Sequence, residues 1–346
     1  MPHGLNSRLS SATALCSLLA AATWTAPART GEIPDFYKGR TLIVVVGHET
    51  GTGFDLYGRL MARHFGRHVP GNPSVVVQNM PGGGGLNSAQ WLYNAAPKDG
   101  TTLAIFAHTA PFEPLLGDGK ARLDGAMFTW IGNLEETAAI CAVTQSSGVM
   151  NSHDFLTKGI LVGSSGGPLG VFPTTLRKLL GANLKLIHGY KGSADVKLAM
   201  QRGEVQSICG ISISTLKSQW ANELTSGAVK VVMQFGRNKH PDMPGVDHIY
   251  DHAKTPIDHQ VFDLVYGATS LGRPLAAPPG LPPDRTDALR KAFNEMIVNM
   301  EFLTDAEKSR LDLSPASGEQ IEALVKRLYR SPSEIVDKAK AASRIE

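Results

Sequence analysis

The sequence lacks a strong excess of charge of either sign and has few cysteines. Lys and Arg total 34 against 31 Asp and Glu, so the formal net charge is +3 over 346 residues. This near balance, without a basic block or an aromatic-basic stripe, gives no indication of a nucleic-acid partner. The three cysteines are Cys16, Cys141 and Cys209, and their spacing matches no zinc signature.

Long apolar runs are also lacking, apart from one near the N-terminus. Residues 12–22 are apolar, and residues 26–28 are Ala-Pro-Ala, the small-x-small pattern of a signal-peptidase site. The run is too short to span a bilayer. Leu15 before Cys16 is too large for the usual lipoprotein signal. We therefore predict a cleaved signal peptide at residues 1–28 and export of the mature chain to the periplasm.

Export would place the other two cysteines, Cys141 and Cys209, in an oxidising compartment. There they can form a disulfide, and the closed loop would stabilise the fold by roughly 2–5 kcal/mol. Sequence spacing alone does not determine the distance between the two Cα atoms. Two buried free thiols are therefore an equal alternative.

Strand, glycine-turn and helix signals alternate along the rest of the chain. This order predicts parallel sheets built from βαβ units, and the length suits about two domains. Near the C-terminus, the apolar segment 262–271 predicts a further strand. Polar stretches near Glu135 and at residues 251–259 are the predicted crossings between two lobes.

Four glycine-rich turns each follow a predicted strand and precede a predicted helix. In open α/β sheets ligands bind at this edge, and the free amide groups and dipole of a helix N-terminus favour an anion. One such turn is usually only a tight connection. Four of them predict an anion-binding cleft lined from both sides. The turns are residues 47–55, 79–85, 163–170 and 189–195.

A serine hydrolase is the alternative function. Residues 163–167, Gly-Ser-Ser-Gly-Gly, match the GxSxG pattern between a strand and a helix, the context of a nucleophile elbow. Ser165 would then be the nucleophile, with Asp195 and either His248 or His252 completing a triad. No histidine stands in a short loop after a clear late strand, where a triad would need it. The sequence therefore favours a protein that is not an enzyme.

Neither a cofactor nor a metal ion is predicted. The spacing of Gly47, Gly51 and Gly53 fits a dinucleotide-binding turn, but no acidic residue ends the next strand to hold a ribose. His64 and His68 lie one turn apart at a predicted helix end. Histidines in that position more commonly interact with the helix dipole than bind a metal.

A more specific set of motifs runs through residues 35–106. FYKG, GTGFD, QNMPGGGG and APKDGT follow one another in this order. In these motifs the chain resembles the periplasmic substrate-binding proteins of tripartite tricarboxylate transporters, and the similarity continues to the closing helices. The resemblance implies an α/β, two-lobe periplasmic-binding-protein-like fold. Each lobe would be a mostly parallel sheet flanked by helices, and the ligand cleft would lie between the lobes.

The resemblance also implies a division of the chain and a function. Residues 29–134 with 262–346 would form lobe 1, and residues 135–261 would form lobe 2. The protein would be monomeric, capture a small carboxylate in the cleft and deliver it to the permease subunits of a tripartite transporter. No chemistry, cofactor or nucleic acid would take part.

The ligand-binding residues implied by the resemblance come from the turns of both lobes, largely through backbone amides and bridging waters. They are Thr50, Gly51, Thr52, Gly53, Asp55, Pro81, Gly82, Gly83, Gly84, His108, Thr109, Ser164, Ser165, Gly166, Gly167, Tyr190, Lys191 and Gly192. Two positions depart from the family: Glu49 replaces a small residue and Thr52 replaces a glycine. A Glu49 that faces the cleft would repel an anion or select a ligand with an amine, whereas a Glu49 that points to solvent would do neither.

Overall fold

The computed structural model describes residues 33–117, 119–136, 138–236 and 238–345, so the predicted signal peptide at 1–28 lies outside it. None of the helices in these ranges has the length and apolar character that a bilayer crossing requires. The strands of the described residues are β1 (Thr41–Val46), β2 (Ser74–Asn79), β3 (Thr102–Ile105), β4 (Thr129–Asn133), β5 (Ala139–Thr144), β6 (Ile160–Gly163), β7 (Leu184–Ile187), β8 (Ser207–Ser212), β9 (Val229–Phe235), β10 (Pro274–Ala277) and β11 (Ala316–Ser317).

Helices occupy most of the connections between these strands. They are α1 (Ile33–Tyr37), α2 (Gly53–Phe65), α3 (Leu86–Asn94), α4 (Glu113–Leu116), α5 (Ser152–Thr157), α6 (Pro168–Leu180), α7 (Ser193–Gln201), α8 (Ile213–Gln219), α9 (Ala221–Thr225), α10 (Pro256–Val265), α11 (Pro283–Met296), α12 (Met300–Lys308), α13 (Gly318–Tyr329) and α14 (Ser333–Ser343). The predicted capping box of α13 is present, since Ser317 and Gln320 exchange side-chain and backbone hydrogen bonds.

The strands form two sheets, and each sheet is the centre of one lobe. The first sheet has the order β11-β4-β10-β3-β1-β2, and the second has the order β7-β6-β8-β5-β9. β1 pairs in parallel with β2 and β3, and β6 pairs in parallel with β7 and β8. The predicted two-lobe α/β fold with flanking helices is confirmed.

Both sheets are mixed because the chain crosses between them. β5 enters the second sheet directly from β4 and runs antiparallel to β8 and β9. β10 returns to the first sheet and runs antiparallel to β3 and β4. Each of these two strands is the first that the chain forms after it passes from one sheet to the other. The remaining long strands of each sheet share one direction.

The two cysteines among the described residues are direct neighbours on adjacent strands. Cys141 on β5 is paired in register with Cys209 on β8, and a disulfide joins them with 4.0 Å between the Cα atoms. Both side chains are fully buried in the second lobe. Of the two alternatives left by the sequence, the structure adopts the disulfide. Cys16 lies outside the described residues.

The strand predicted at residues 262–271 is wrong. That segment is the end of α10 and a following 3-10 turn, Gly267–Leu271. A capping box starts the helix, since the hydroxyl of Thr255 accepts from the amide of Asp258 and the Asp258 carboxylate accepts from the amide of Thr255. All residues of this segment except Asp263 are buried, and periodicity alone cannot separate a buried helix from a buried strand.

Candidate functional site

Glycine turns of both lobes end at one cavity of about 740 Å³. The turns follow β1 and β2 in the first sheet and β6 and β7 in the second, at the carboxyl ends of parallel strands, and the segments after β3 and β8 also reach the cavity. A cavity of this volume lies within the common range for small-molecule sites. The predicted residues that line it are Thr50, Gly51, Thr52, Gly53, Pro81, Gly82, Gly83, Gly84, His108, Ser165, Gly166, Tyr190, Lys191 and Gly192.

Four predicted residues lie elsewhere. Asp55 is buried beneath the first turn rather than on the cavity wall, and Ser164 is fully buried. Thr109 lines a separate cavity of about 250 Å³. Gly167 precedes α6 and packs against Gly84 of the other lobe. These four positions are therefore not on the wall of the 740 Å³ cavity.

Asp55 holds the turn between β1 and α2 in place. Its carboxylate accepts hydrogen bonds from the Gly51 amide, the Arg59 guanidinium and the Asn79 side chain, each at 2.9 Å. Burial acts to raise the pKa of Asp55, but these hydrogen bonds outweigh it and hold the pKa below its usual range. The turn is thus preorganised by a carboxylate that remains ionised.

The first-turn amides of two helices are free to bind an anion. The Gly51 amide is taken by Asp55, and the Thr52 amide donates to the carbonyl of Glu49. In contrast, the amides of Gly53 and Phe54 at the start of α2 have no acceptor among the described residues. The same holds for the amides of Ser193 and Ala194, which start α7 on the facing lobe. All four of these residues line the cavity.

The two lobes touch at glycines on the rim of the cavity. A Cβ added to Gly84 would lie 2.4 Å from the amide nitrogen of Gly167, closer than real Cβ contacts. Gly84 also has φ +64°, a left-handed conformation that favours glycine. Nearby, the side chain of Gln219 in the second lobe donates to the carbonyl of Gly51 in the first at 3.1 Å. The lobes therefore meet over the cavity in this structure.

Glu49 is both exposed and on the cavity wall. Across the cavity, Lys191 and Asp195 also line the wall, and the Lys191 amide donates to the Asp195 carboxylate at 3.2 Å. Because Glu49 lines the cavity and is nevertheless exposed to solvent, its side chain lies at the open rim of the cavity. There water screens its charge from an anion bound deeper inside.

Arg273 is a cavity residue that the sequence analysis missed. It immediately precedes β10 and is only 3 % exposed. Its guanidinium carbon lies 4.3 Å from the ring centroid of Phe54 and 4.9 Å from that of Tyr57. No motif surrounds this residue. The sequence contains one indication of its position: Arg273 is a charged residue directly before the apolar segment that forms β10.

Two histidines on the cavity wall are neutral. Burial, assisted by the nearby positive charge of Arg273, lowers the pKa of both His48 and His108 to about 3. The ring of His48 stacks on Phe54 with 3.9 Å between the centroids. Both ring nitrogens of His108 are buried and have no hydrogen-bond partner among the described residues. An uncharged imidazole with unused nitrogens is suited to a polar group of a bound ligand.

We expect the buried histidines to make stability depend on pH. An unfolded histidine takes up a proton near pH 6.5, whereas folded His108 does so only near pH 3. Between these values the unfolded state binds more protons, so the free energy of unfolding falls as the pH falls, by up to about 1.4 kcal/mol per pH unit for each such histidine. Urea unfolding of the parent and of His108→Gln at pH 6.5 and pH 5 measures this slope.

The comparison between parent and variant isolates His108, because the other histidines are common to both proteins. The His108→Gln variant should lose part of the slope in this interval, which lies above the range where carboxylates titrate. Equal slopes for the two proteins would contradict a neutral, buried His108.

His64 and His68, which the sequence analysis assigned to a helix end rather than to a metal site, each lie beside a carboxylate. His64 Nε2 lies 2.9 Å from the Asp305 carboxylate, and His68 Nδ1 lies 3.9 Å from that of Glu295. Over all the residues that the structure describes, no group of three or more His, Cys, Asp or Glu side chains is arranged to hold a metal ion.

The serine hydrolase alternative is not supported. Ser165 follows β6, whereas His248 bridges to β9, three strands away or about 14 Å along the sheet. The hydroxyl of Ser165 donates to the carbonyl of Gly166 instead of to a histidine. Neither His248 nor His252 lines the cavity. The GxSxG pattern here is thus an ordinary strand-to-helix turn.

Comparisons with known proteins find several that are similar to this chain in sequence or in fold. No family model matches the chain. It is 24 % identical over 269 residues to the UPF0065 protein in gbd 5'region of Cupriavidus necator, a match that covers 75 % of this chain and 76 % of the relative.

Two solved structures show the same architecture. A TctC solute binding protein from Polaromonas superposes with a TM-score of 0.62 at 20 % identity, covering 87 % of this chain and 99 % of that one. MatC from Rhodopseudomonas palustris, solved with bound malate, gives 0.67 at 18 % identity, covering 86 % and 99 %. The resemblance stated from the sequence motifs is therefore confirmed, and the fold is that of these solute-binding proteins.

Proposed function

We propose that this chain, which has the fold of TctC-type solute-binding proteins, is the solute-binding protein of a tripartite tricarboxylate transporter and captures a small carboxylate in its interlobe cavity. The observation that supports this most directly is the set of free first-turn amides on the cavity wall. Those of Gly53 and Phe54 come from one lobe, and those of Ser193 and Ala194 come from the other. The solved relative MatC holds a carboxylate, malate.

The energetics of such a site are sufficient for capture without chemistry. Each hydrogen bond from an amide to a carboxylate contributes about 1.5–3 kcal/mol net. Micromolar affinity corresponds to about −8 kcal/mol. A few such bonds, some through water, therefore suffice after the cost of ordering the ligand.

Delivery would depend on the movement of the two lobes. Ligand bound to amides of both lobes stabilises the closed arrangement, and a permease in the membrane would recognise that arrangement. Residues 29–134 with 262–346 would move as one lobe and residues 135–261 as the other. The protein would act as a monomer in the periplasm, without turning over its ligand.

A thermal-shift screen over small carboxylic acids tests this function. An acid present at 100 times its Kd should stabilise the protein by about 2.7 kcal/mol and raise its melting temperature. The uncharged amides of the same acids are the matched controls, and they should give no shift. Isothermal titration of each active acid, followed by NMR of the recovered ligand, then tests whether it is returned unchanged. A panel with no stabilising acid, or steady conversion of the ligand, would contradict the proposal.

A further inference from the structure

Helix α8 of the second lobe contacts the first lobe at both of its ends, beside the cavity. Its N-cap residue, Ser212, accepts a hydrogen bond from Arg273 of the first lobe at 3.0 Å. At its last residue, Gln219, the side chain donates to the carbonyl of Gly51 at 3.1 Å. Lys217 lies between these two contacts along the helix.

Lys217 bonds to one carboxylate from each lobe. Its Nζ atom donates to Asp312 Oδ2 at 3.0 Å, and it also donates to the carboxylate of Asp242. Asp312 follows α12 and belongs to the first lobe, whereas Asp242 follows β9 and belongs to the second. Burial acts to lower the pKa of Lys217, but the two carboxylates outweigh it and hold the pKa above its usual range. The lysine therefore stays charged at neutral pH.

Both carboxylates are fixed to their own lobes. The Tyr57 hydroxyl on α2 donates to the carbonyl of Asp312 at 2.6 Å. The loop that carries Asp242 is held by the buried side chain of Gln234 on β9, which donates to two of its carbonyls, at 2.9 Å and 2.7 Å. Separation of the lobes would therefore take Asp312 away from Lys217 and leave Asp242 beside it.

The exposure of this cluster suits a contact that forms and breaks. Of the three side chains, 30 % of Lys217, 56 % of Asp242 and 44 % of Asp312 is exposed to water. An ion pair with this exposure stabilises only modestly, because water screens it. Since Lys217 keeps Asp242 when the lobes are apart, opening leaves no buried charge without a partner.

We propose that Lys217 is a reversible electrostatic latch, which favours the closed arrangement of the lobes by adding Asp312 to the pair that it already forms with Asp242. This rests on the proposed function, because it takes the two lobes to move about the cavity, but it does not depend on which ligand is bound. In the closed form the two carboxylates also repel each other across Lys217. Asp312 therefore favours closure and Asp242 limits it.

The distance between two spin labels in the ligand-free protein tests the latch. The labels are attached at Val76→Cys on β2 and Leu198→Cys on α7, two exposed positions on elements that lie at opposite walls of the cavity. Cys16→Ser leaves no other free thiol, since Cys141 and Cys209 are bonded to each other. Double electron–electron resonance then measures the populations of the open and closed forms in this labelled background.

The two acidic residues should have opposite effects on these populations. In Lys217→Met and in Asp312→Asn, the ratio of open to closed protein should rise by about threefold, as expected for an exposed ion pair. The double variant should open no further than Lys217→Met alone, because both changes remove the same bond. Asp242→Asn should lower the ratio by about twofold, since it removes the repulsion between the carboxylates.

Salt should act on the parent in the same direction as loss of the lysine. Raising NaCl from about 50 mM to about 500 mM should open the parent but not Lys217→Met, because the exposed ion pair is screened. Lys158→Met is the matched control. It removes the same charge from a pair within the second lobe, Lys158 and Asp154 at 2.9 Å, and should leave the ratio unchanged.

Two results would overturn the latch. One is an equal distance distribution in the parent and in Lys217→Met, and the other is a shift in the same direction for Asp242→Asn and Asp312→Asn. Circular dichroism melting verifies that each variant is folded. Carboxylate capture fails separately, since a protein that closes through Lys217 but is stabilised by no acid would overturn the proposed function and leave the latch standing.

Discussion

Replacing Gly84 by alanine is expected to raise the Kd for a carboxylate ligand at least about 100-fold, or roughly 2.7 kcal/mol. The added Cβ would lie 2.4 Å from the Gly167 amide nitrogen, and its other near neighbours are backbone atoms of Gly166 and Gly167 on the facing lobe. Backbone cannot move aside as a flexible side chain can. The contact disappears when the lobes separate, so the open protein should fold while the closed, ligand-bound form is lost.

The matched control is Gly148→Ala. Gly148 has φ +68°, close to the +64° of Gly84, but a Cβ there would meet no atom within 4 Å. Both variants should therefore lose a similar stability from the left-handed backbone, about 1 kcal/mol. Only Gly84→Ala should lose binding in isothermal titration. If Gly84→Ala keeps its affinity within threefold, or if Gly148→Ala loses it equally, the lobes do not close by this contact.

Removing the disulfide is expected to lower the free energy of unfolding by about 4 kcal/mol. Cys141 and Cys209 are 68 residues apart, and the loop-closure entropy of a loop of that length corresponds to this value. The double variant Cys141→Ala with Cys209→Ala removes the bond without leaving a lone thiol. Urea unfolding followed by circular dichroism compares it with the oxidised parent.

The reduced parent is the internal control for this experiment. Reductant should bring the parent to nearly the stability of the double variant and should leave the double variant itself unchanged. A loss of less than 1 kcal/mol in the variant would show that the bond contributes little. In that case the pairing of β5 and β8 is maintained by its hydrogen bonds and buried side chains alone.

The turns that line the cavity were largely predictable from local sequence. A β-branched run, a glycine turn and a helical spacing lie within a few residues of one another, so short-range patterns suffice to place residues 47–53 and 81–84 at the ends of strands. The capping of α2 by Thr52 and Asp55 follows the same local rule. Parallel strands then bring such turns to one edge, as the topology rules require.

Local patterns were least informative where a segment is buried on all sides. All of residues 262–271 except Asp263 are buried, which conceals both the helical and the strand period. Only the capping box at Thr255, ahead of the segment, indicated a helix. The direction of β5 and β10 was equally inaccessible, because it depends on the path of the chain between the sheets.

By itself the sequence determined most of the succession of elements, the glycine turns and the resemblance, since each depends on residues close together in the chain. Only the tertiary structure decided that Arg273 reaches the cavity. Its amide donates to the side chain of Asn133, 140 positions earlier, and its guanidinium donates to Ser212 of the other lobe. Contacts over such separations arise from the packing of the whole chain, so no short motif encodes them.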